Sequence, residues 1–182
     1  MDTDAPAATI GSAFSDAQPL RNFVVLSIVS FGLYPTYWLY KNLRSIKAHK
    51  GLSISPGWRT FAAFIPLIGL LFFKDQLQLF LDVTASGGAT TRFSPWGRTL
   101  GFNLISAAML ELPMPWALLT TAAVVFLLPV QQALNEYWTI EQAGVPVRER
   151  FSAGETALLI ACGFAWVLVL VAGIVGERLV VG

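Results

Sequence analysis

The sequence predicts an all-α membrane protein, and two observations support this. Hydrophobic residues make up 55% of the 182 residues and charged residues only 13%, whereas soluble domains carry about 25% charged residues. Two long stretches, residues 23–40 and 156–175, contain no charged side chain. A helix needs about 20 apolar residues to span roughly 30 Å of hydrocarbon, so the second stretch is long enough for a span and the first nearly so.

Charge and cysteine content exclude several other classes. The formal net charge is +1, which argues against a strongly basic nucleic-acid-binding protein. The single cysteine, Cys162, excludes an intrachain disulfide. The first 20 residues contain three Asp and no Lys or Arg, unlike the positive start of a secretory signal. We therefore predict a disordered acidic tail over residues 1–20 and a single membrane-embedded helical domain over residues 21–182.

The first predicted helix runs from about Phe23 to about Ile46, and Gly32 and Pro35 should loosen or kink it midway. Beyond the kink, aromatic residues are expected to form a collar at the membrane interface: Tyr34, Tyr37, Trp38 and Tyr40. A basic cluster follows directly: Lys41, Arg44, Lys47 and Lys50. Because cytoplasmic loops are enriched in Lys and Arg, residues 41–59 are predicted to lie inside and the N-terminal tail outside.

Three later helices carry recognisable start signals. Ser-Pro pairs at residues 55–56 and 94–95 place Ser at the N-cap and Pro at the first helical position, where a missing N–H costs little. Ser152 and Glu155 form a capping box. The decamers SPGWRTFAAF, from residue 55, and SPWGRTLGFN, from residue 94, are nearly the same. Convergent helix-entry signals explain this similarity, and a duplicated structural unit is the alternative.

The second apolar run, residues 60–73, has 14 residues, or about 21 Å as a helix. It is short for a span, and Pro66 interrupts it. The following segment, KDQLQLFLDV, puts Phe73, Leu77, Phe80 and Leu81 on one face. This pattern predicts an amphipathic helix that lies along the membrane interface.

The third apolar run, residues 99–130, is broken by ELPMPW at residues 111–116. It therefore predicts a helical hairpin, either as two thin spans or as a re-entrant pair. The segment that leaves it, LPVQQALNEYW, groups four polar side chains: Gln131, Gln132, Asn135 and Glu136. These residues could form a solvated helix face, bind a partner or line a wet cleft.

Two membrane topologies fit these elements. One has four to five conventional spans, and it divides the Lys and Arg residues six inside and six outside. The other has two full spans plus re-entrant or interfacial hairpins, and it divides them ten to two. The positive-inside rule favours the second topology. Re-entrant backbone must, however, be buried in protein or wetted, so both topologies remain open.

The sequence contains no Walker A, G-x-S-x-G or G-x-G-x-x-G motif and no metal-ligand spacing. We therefore expect a protein that is not an enzyme and needs no cofactor or metal. The collar and basic residues predict a site for anionic lipid headgroups or for a membrane-protein partner: Tyr34, Tyr37, Trp38, Tyr40, Lys41, Arg44 and Lys47. The same residues could simply anchor and orient the helix.

An alternative function uses Glu111 and Asn103. A carboxylate at the tip of a hairpin too short to cross would sit deep in the membrane, where ionisable residues are expensive and usually functional. Glu111, assisted by Asn103, could then contact a proton or cation in a small transport or channel component. Because one chain has too few spans to enclose a pathway, such a component would be a homo-oligomer.

Residues 23–47, FVVLSIVSFGLYPTYWLYKNLRSIK, resemble the opening of a family of small bacterial membrane proteins known only as a domain of unknown function. The shared pattern is an apolar run, then G-x-Y-x-x-Y-W-x-Y-K-N, then a basic helix. Here it is carried by Gly32, Tyr34, Tyr37, Trp38, Tyr40, Lys41 and Asn42. The resemblance continues weakly towards the last helix and leaves out residues 1–20. It implies a helical fold and a bacterial inner-membrane location, and it transfers no catalytic residue.

Overall fold

The computed structural model describes residues 14–63, 65, 68–111 and 116–181, with side chains over 14–63, 65, 68–108, 111, 121–168 and 171. The described chain is all-helical, as predicted, with seven α-helices and one 3₁₀ helix. In chain order these are α1 (Leu20–Val29), α2 (Tyr34–Lys50), α3 (Pro56–Ala62), α4 (Ile68–Ser86), α5 (Pro95–Leu110), the 3₁₀ helix (Trp116–Leu127), α6 (Leu128–Glu141) and α7 (Ala153–Val181). Among the residues described in this detail, no helix is both long enough and apolar enough to cross a membrane.

All three predicted helix starts are confirmed in position, since α3 begins at Pro56, α5 at Pro95 and α7 directly after Ser152. The capping box of α7 is formed in both directions. The Ser152 N–H donates to Glu155 Oε2 at 2.8 Å, and the Glu155 N–H donates to Ser152 Oγ at 3.2 Å. Both bonds satisfy N–H groups that a helix start otherwise leaves without partners.

The two Ser-Pro starts differ in how they are capped. Ser94 Oγ accepts a hydrogen bond from the Gly97 N–H at 3.2 Å, as expected of an N-cap side chain. Ser55 makes no side-chain cap, and only its carbonyl oxygen is engaged, by the Arg59 N–H at 3.0 Å. The near-identical decamers therefore start helices in the same place but do not build the same cap.

The predicted kink in the first helix is a complete break into α1 and α2. In the connecting turn, Phe31 and Gly32 have φ values of 54° and 79°, a region that suits glycine and strains other residues. The ring of Phe31 stacks on Trp166 with centroids 4.4 Å apart. Trp166 Nε1 also donates to the Val29 carbonyl at 3.1 Å, so α7 holds the turn from the side.

The apolar face predicted for the segment after the second run is confirmed in α4, where Phe73, Leu77 and Phe80 are buried. Gln76 is buried beside them and donates through Nε2 to the Arg59 carbonyl at 2.8 Å. This face belongs to the protein's own core. The expectation that it rests on a membrane is therefore wrong, because the other helices already cover it.

The third run forms the predicted hairpin, in which α5 packs against the 3₁₀ helix. The approach is close at Gly101, where an added Cβ would overlap the ring of Phe126. A larger residue at position 101 would push that ring away. Most of the predicted tip, residues 112–115, lies outside the described residues.

The predicted aromatic collar divides between the core and the surface. Trp38 is 0% exposed and Tyr34 is equally buried, whereas Tyr37 is 53% exposed and Tyr40 is half-buried. Residues four apart lie on the same face of a helix, so Tyr34 and Trp38 point inward together. The prediction of an interfacial collar is therefore wrong for these two residues, which belong to the protein core.

The end of the predicted tail is packed rather than disordered. Residues 14–19 lie against α6, where the Gln18 N–H donates to Asn135 Oδ1 at 2.9 Å and Asn135 Nδ2 donates to the Gln18 carbonyl at 2.8 Å. The predicted boundary at residue 20 is too late, because Asn135 satisfies the backbone of this segment. Residues 1–13 lie outside the described residues.

A buried hydrogen-bond network continues from Gln18 into the helices. Trp38 Nε1 donates to Gln131 Oε1, and Gln131 Nε2 donates to the Gln18 carbonyl at 3.2 Å. In the other direction, Gln18 Nε2 donates to the Tyr34 hydroxyl at 2.6 Å, and that hydroxyl donates to Glu155 Oε1 at 3.2 Å. These bonds join the N-terminal segment to α2, α6 and α7.

Replacing Gln131 by leucine should destabilise the fold by about 1–3 kcal/mol, because it leaves the buried Trp38 indole N–H without an acceptor. The measurement is the free energy of unfolding by denaturant titration. The control is Gln132→Leu at the neighbouring exposed position, which should change stability by less than about 0.5 kcal/mol. Equal losses in the two variants would contradict a structural role for the network.

Candidate functional site

The outer side of α2 carries a continuous set of basic and aromatic side chains. With Tyr34 and Trp38 turned inward, this side presents the other five predicted residues, which we name the α2 basic face: Tyr37, Tyr40, Lys41, Arg44 and Lys47. Arg44 and Lys47 are exposed and Lys41 is half-buried. Within the described residues none of the three cations forms an ion pair. Their charge is therefore available to an external anion.

A cavity of about 200 Å³ lies at one end of the α2 basic face. We name it the basic cavity. The N-terminal segment, α1, α2 and the loop before α7 all contribute to its wall. The side chains that the site uses are Asp16, Asn22, Tyr37, Lys41, Arg148, Arg150, Ser152 and Glu155.

The basic cavity has a net positive character. Lys41, Arg148 and Arg150 make no ion pair within the described part of the chain, although the Arg148 guanidinium lies 4.6 Å from the centroid of the Phe14 ring. Asp16 also lines the cavity, but its two oxygens accept hydrogen bonds from the Ser45 hydroxyl at 2.8 Å and from Gln142 Nε2 at 3.0 Å. The wall therefore holds three cations and the two carboxylates of Asp16 and Glu155, a net formal charge of +1, and no cation is paired directly with either carboxylate in the described structure.

A second depression, of about 580 Å³, lies at the other end of the α2 basic face. Tyr40, Arg44 and Lys47 line it together with the loop that follows α2. It is shallow, and its cations are directed towards solvent. This end provides a charged surface rather than an enclosed site.

The predicted pair of Asn103 and Glu111 is not brought together. Asn103 lines a mostly apolar cavity of about 360 Å³ between α2, α4 and α5, and its Nδ2 donates to the Thr99 carbonyl at 2.9 Å. Glu111 is exposed just after the end of α5 and is absent from that lining. The cavity therefore offers an amide but not the carboxylate that an intramembrane cation site would need.

The polar side of α6 binds the protein's own chain. Gln131 and Asn135 hold the N-terminal segment, and Glu136 holds the loop before α5. Glu136 Oε2 accepts hydrogen bonds from the Thr90 and Thr91 N–H groups, both at 2.8 Å. The Thr91 hydroxyl and these N–H groups lower the pKa of Glu136 to about 2. Most of the polar side of α6 is thus committed to internal contacts.

The only histidine in the sequence joins α2 to α6. His49 Nε2 lies 3.1 Å from Glu141 Oε2, and Lys50 Nζ donates to Glu141 Oε1 at 2.9 Å. The hydrogen bond from Lys50, more than the contact with His49, lowers the pKa of Glu141. Among the described residues, no group of three or more His, Cys, Asp or Glu side chains is placed to hold a metal ion.

Sequence reasoning missed the residues that complete the basic cavity, namely Asn22, Arg148 and Arg150. A signal was present, since two arginines directly precede the capping box of α7. The proximity of these two arginines to Tyr37 and Lys41 could not be predicted, because about a hundred residues of the chain separate them from α2.

No family model matches the chain, and neither a curated protein nor a solved structure shows significant similarity to it. The resemblance to small bacterial membrane proteins therefore stays a prediction.

Glu136→Gln should remove a pH-dependent contribution to stability. Because folding lowers the pKa of Glu136 from an ordinary 4.5 to about 2, its carboxylate stabilises the fold above pH 4.5 and loses this effect as the pH falls towards 2. The stability difference between the wild type and the variant should therefore be largest above pH 4.5 and shrink towards pH 2. Denaturant titrations across this range measure it, and a difference independent of pH would contradict the assignment.

Proposed function

We propose that this is a non-enzymatic helical membrane protein that binds anionic lipid headgroups through the α2 basic face. The observation that carries the proposal is the set of three cations, Lys41, Arg44 and Lys47, that share one helix face with two tyrosines and have no ion-pair partner in the described chain. Clustered Lys and Arg beside a membrane attract anionic lipid. Tyrosines such as Tyr37 and Tyr40 suit the headgroup level, where one end of the ring is apolar and the other is wet.

The membrane setting is supported by α7. Residues 156–175 contain no charged side chain, and several large apolar side chains of this helix are more than half exposed: Ile160, Phe164, Val167, Leu168 and Val171. Soluble monomers rarely expose apolar surface in such a continuous stripe. Contact with hydrocarbon would remove this surface from water.

Of the two predicted topologies, we favour the one with shorter hairpins over four to five conventional spans, with α7 as its full span. The other predicted full span is replaced by a hairpin of α1 and α2, whose ends meet where the Ser45 hydroxyl donates to Asp16 Oδ1 at 2.8 Å. The α3 helix has only seven residues, and the apolar face of α4 is buried against other helices, so neither suits a conventional lipid-facing span. The predicted placement of the N-terminal tail outside is not kept, because Asp16 accepts a hydrogen bond from Ser45 on α2 and Gln18 is held by Asn135 on α6. The end of that tail therefore lies on the same side as the α2 basic face, and we propose that this side faces the cytoplasm at a bacterial inner membrane.

The transport alternative has less support. It needs Glu111 inside a pathway, whereas Glu111 is exposed and separate from the cavity that Asn103 lines. No second copy of the chain is needed for the α2 basic face to bind lipid. We therefore treat a homo-oligomeric channel as the second candidate.

Replacing Lys41, Arg44 and Lys47 together by glutamine should weaken binding to anionic vesicles about a hundredfold. Each basic residue near the membrane surface contributes about 1 kcal/mol, and three such losses correspond to roughly two powers of ten in affinity. The measurement is co-flotation of the full chain, purified in uncharged detergent, with vesicles of phosphatidylcholine that do or do not contain phosphatidylglycerol.

A charge-matched control replaces Lys74, Arg92 and Arg98 by glutamine, which removes the same three charges outside the α2 basic face. This control should retain most of the affinity, and circular dichroism should show that both triple variants are folded. Equal losses in the two variants would mean that net charge, and not this helix face, attracts the vesicles.

A further inference from the structure

The basic cavity adjoins an apolar depression, which is separate from the shallow one lined by Tyr40, Arg44 and Lys47. The two share Tyr37, Ser152 and Glu155 in their walls, so they form one continuous surface. We name this apolar depression the apolar groove. Its volume is about 380 Å³, and its other lining residues are Leu33, Tyr34, Gly154 and Leu158. A charged cavity that continues into an apolar groove matches an amphiphile with an anionic head and a hydrocarbon tail.

The head end has the composition of a phosphate site. Lys41, Arg148 and Arg150 supply three positive charges, and arginine binds phosphate oxygens through two parallel N–H bonds. The carboxylate of Glu155 is occupied by the Tyr34 hydroxyl and the Ser152 N–H, at 3.2 and 2.8 Å. The acidic residue that both depressions share is therefore held by other groups and pairs with none of the three cations, which stay free to bind phosphate oxygens directly.

A buried amide in the cavity wall lacks one partner. Asn22 is only 3% exposed, and its Nδ2 donates to the Glu149 carbonyl at 3.0 Å. Its Oδ1 has no hydrogen-bond partner in the described structure. Buried acceptors are rarely left unpaired, because the loss costs about 1–3 kcal/mol. Because this oxygen is closed off from solvent, a hydroxyl group beside the ligand's phosphate could donate to it only after a small movement of the Asn22 side chain.

The tail end leads onto the apolar surface of the protein. Leu33 is 67% exposed at the groove. Leu158 lies across from it on α7 and precedes the exposed apolar stripe that begins at Ile160. A hydrocarbon chain in the groove would cover Leu33 and continue along α7.

We propose that the basic cavity and the apolar groove together bind one anionic phospholipid, with its phosphate among Lys41, Arg148 and Arg150 and an acyl chain along Leu33, Gly154 and Leu158. This inference rests on the membrane setting of the proposed function and adds a stoichiometric site to it. Lys41 belongs to both sites, but Arg148, Arg150 and Gly154 lie outside the α2 basic face, so variants at these three positions test the lipid site separately.

The direct test fills the groove without changing any charge. Gly154 lines the groove on the first turn of α7, and a Cβ added there meets no atom within 4 Å. Since leucine is a better helix former than glycine, Gly154→Leu should fold and place its side chain in the groove. The matched control is Gly163→Leu, since Gly163 lies on the same helix and also has open space around an added Cβ.

The measurement is isothermal titration of the full chain in uncharged detergent with a short-chain phosphatidylglycerol below its micelle-forming concentration. The wild type and Gly163→Leu should bind one molecule per chain. Gly154→Leu should bind it at least tenfold more weakly, because the acyl chain loses its contact surface. Arg148→Gln combined with Arg150→Gln should produce a similar loss through the headgroup.

Two further ligands, inorganic phosphate and a short-chain phosphatidylcholine, show whether the site recognises a whole anionic lipid or any phosphate anion. Phosphate should bind at least tenfold more weakly than the phospholipid and equally well to Gly154→Leu and the wild type. The zwitterionic lipid should bind more weakly than phosphatidylglycerol. The proposal is overturned if phosphate alone competes as well as the phospholipid, if Gly154→Leu binds like the wild type, or if several lipids bind per chain.

Two further variants keep this test distinct from the test of the proposed function. Arg44→Gln combined with Lys47→Gln lies outside the basic cavity, so it should weaken vesicle binding and leave the short-chain titration unchanged. Gly154→Leu should retain vesicle binding and lose the stoichiometric lipid. If vesicle binding survives in every variant, the proposed function fails even where the titration succeeds.

Discussion

The hydrogen bonds of Gln18 are the constraint on which the rest of the structure depends. Its backbone is held by Asn135 on α6, its carbonyl also accepts from Gln131, and its side chain donates to Tyr34 on α2. Each group is buried or partly buried, so a lost partner would leave an unsatisfied polar atom. The network therefore fixes the N-terminal segment between two helices, and this segment supplies one wall of the basic cavity.

The same network decides what α2 offers to the outside. Because Trp38 donates to Gln131 and Tyr34 bonds to Gln18, the rotation of α2 about its axis is fixed. Lys41, three residues after Trp38, then lies at the edge of the inward face and is half-buried. Tyr37 and Arg44 are exposed, and Arg44 lies further towards the C-terminal end of the helix. An aromatic cluster that looks uniform in the sequence thus acts in two ways, with two side chains building the core and two remaining at the surface. The proposed lipid interactions use the second pair.

Features governed by local physical chemistry were predicted well. The Ser-Pro starts at residues 55 and 94 and the capping box at Ser152 mark real helix starts, because orphan N–H groups at a helix start have few local solutions. The hairpin of α5 and the 3₁₀ helix follows equally from the residues that interrupt the apolar pattern, whereas the kink predicted at Gly32 is in fact a complete break. The errors concern burial, as for Tyr34, since aromatic residues suit both a membrane interface and a protein core.

The sequence by itself determined the helices, their starts and breaks, and the basic character of α2, because each depends on residues within about one turn of one another. Only the tertiary structure decided that the polar side of α6 holds the N-terminal segment and that Arg148 and Arg150 join Lys41 around one cavity. These arrangements depend on contacts between residues far apart in the chain, which a periodic pattern does not encode. Helix packing brings these distant residues together, and the polar groups that become buried must then form hydrogen bonds with one another.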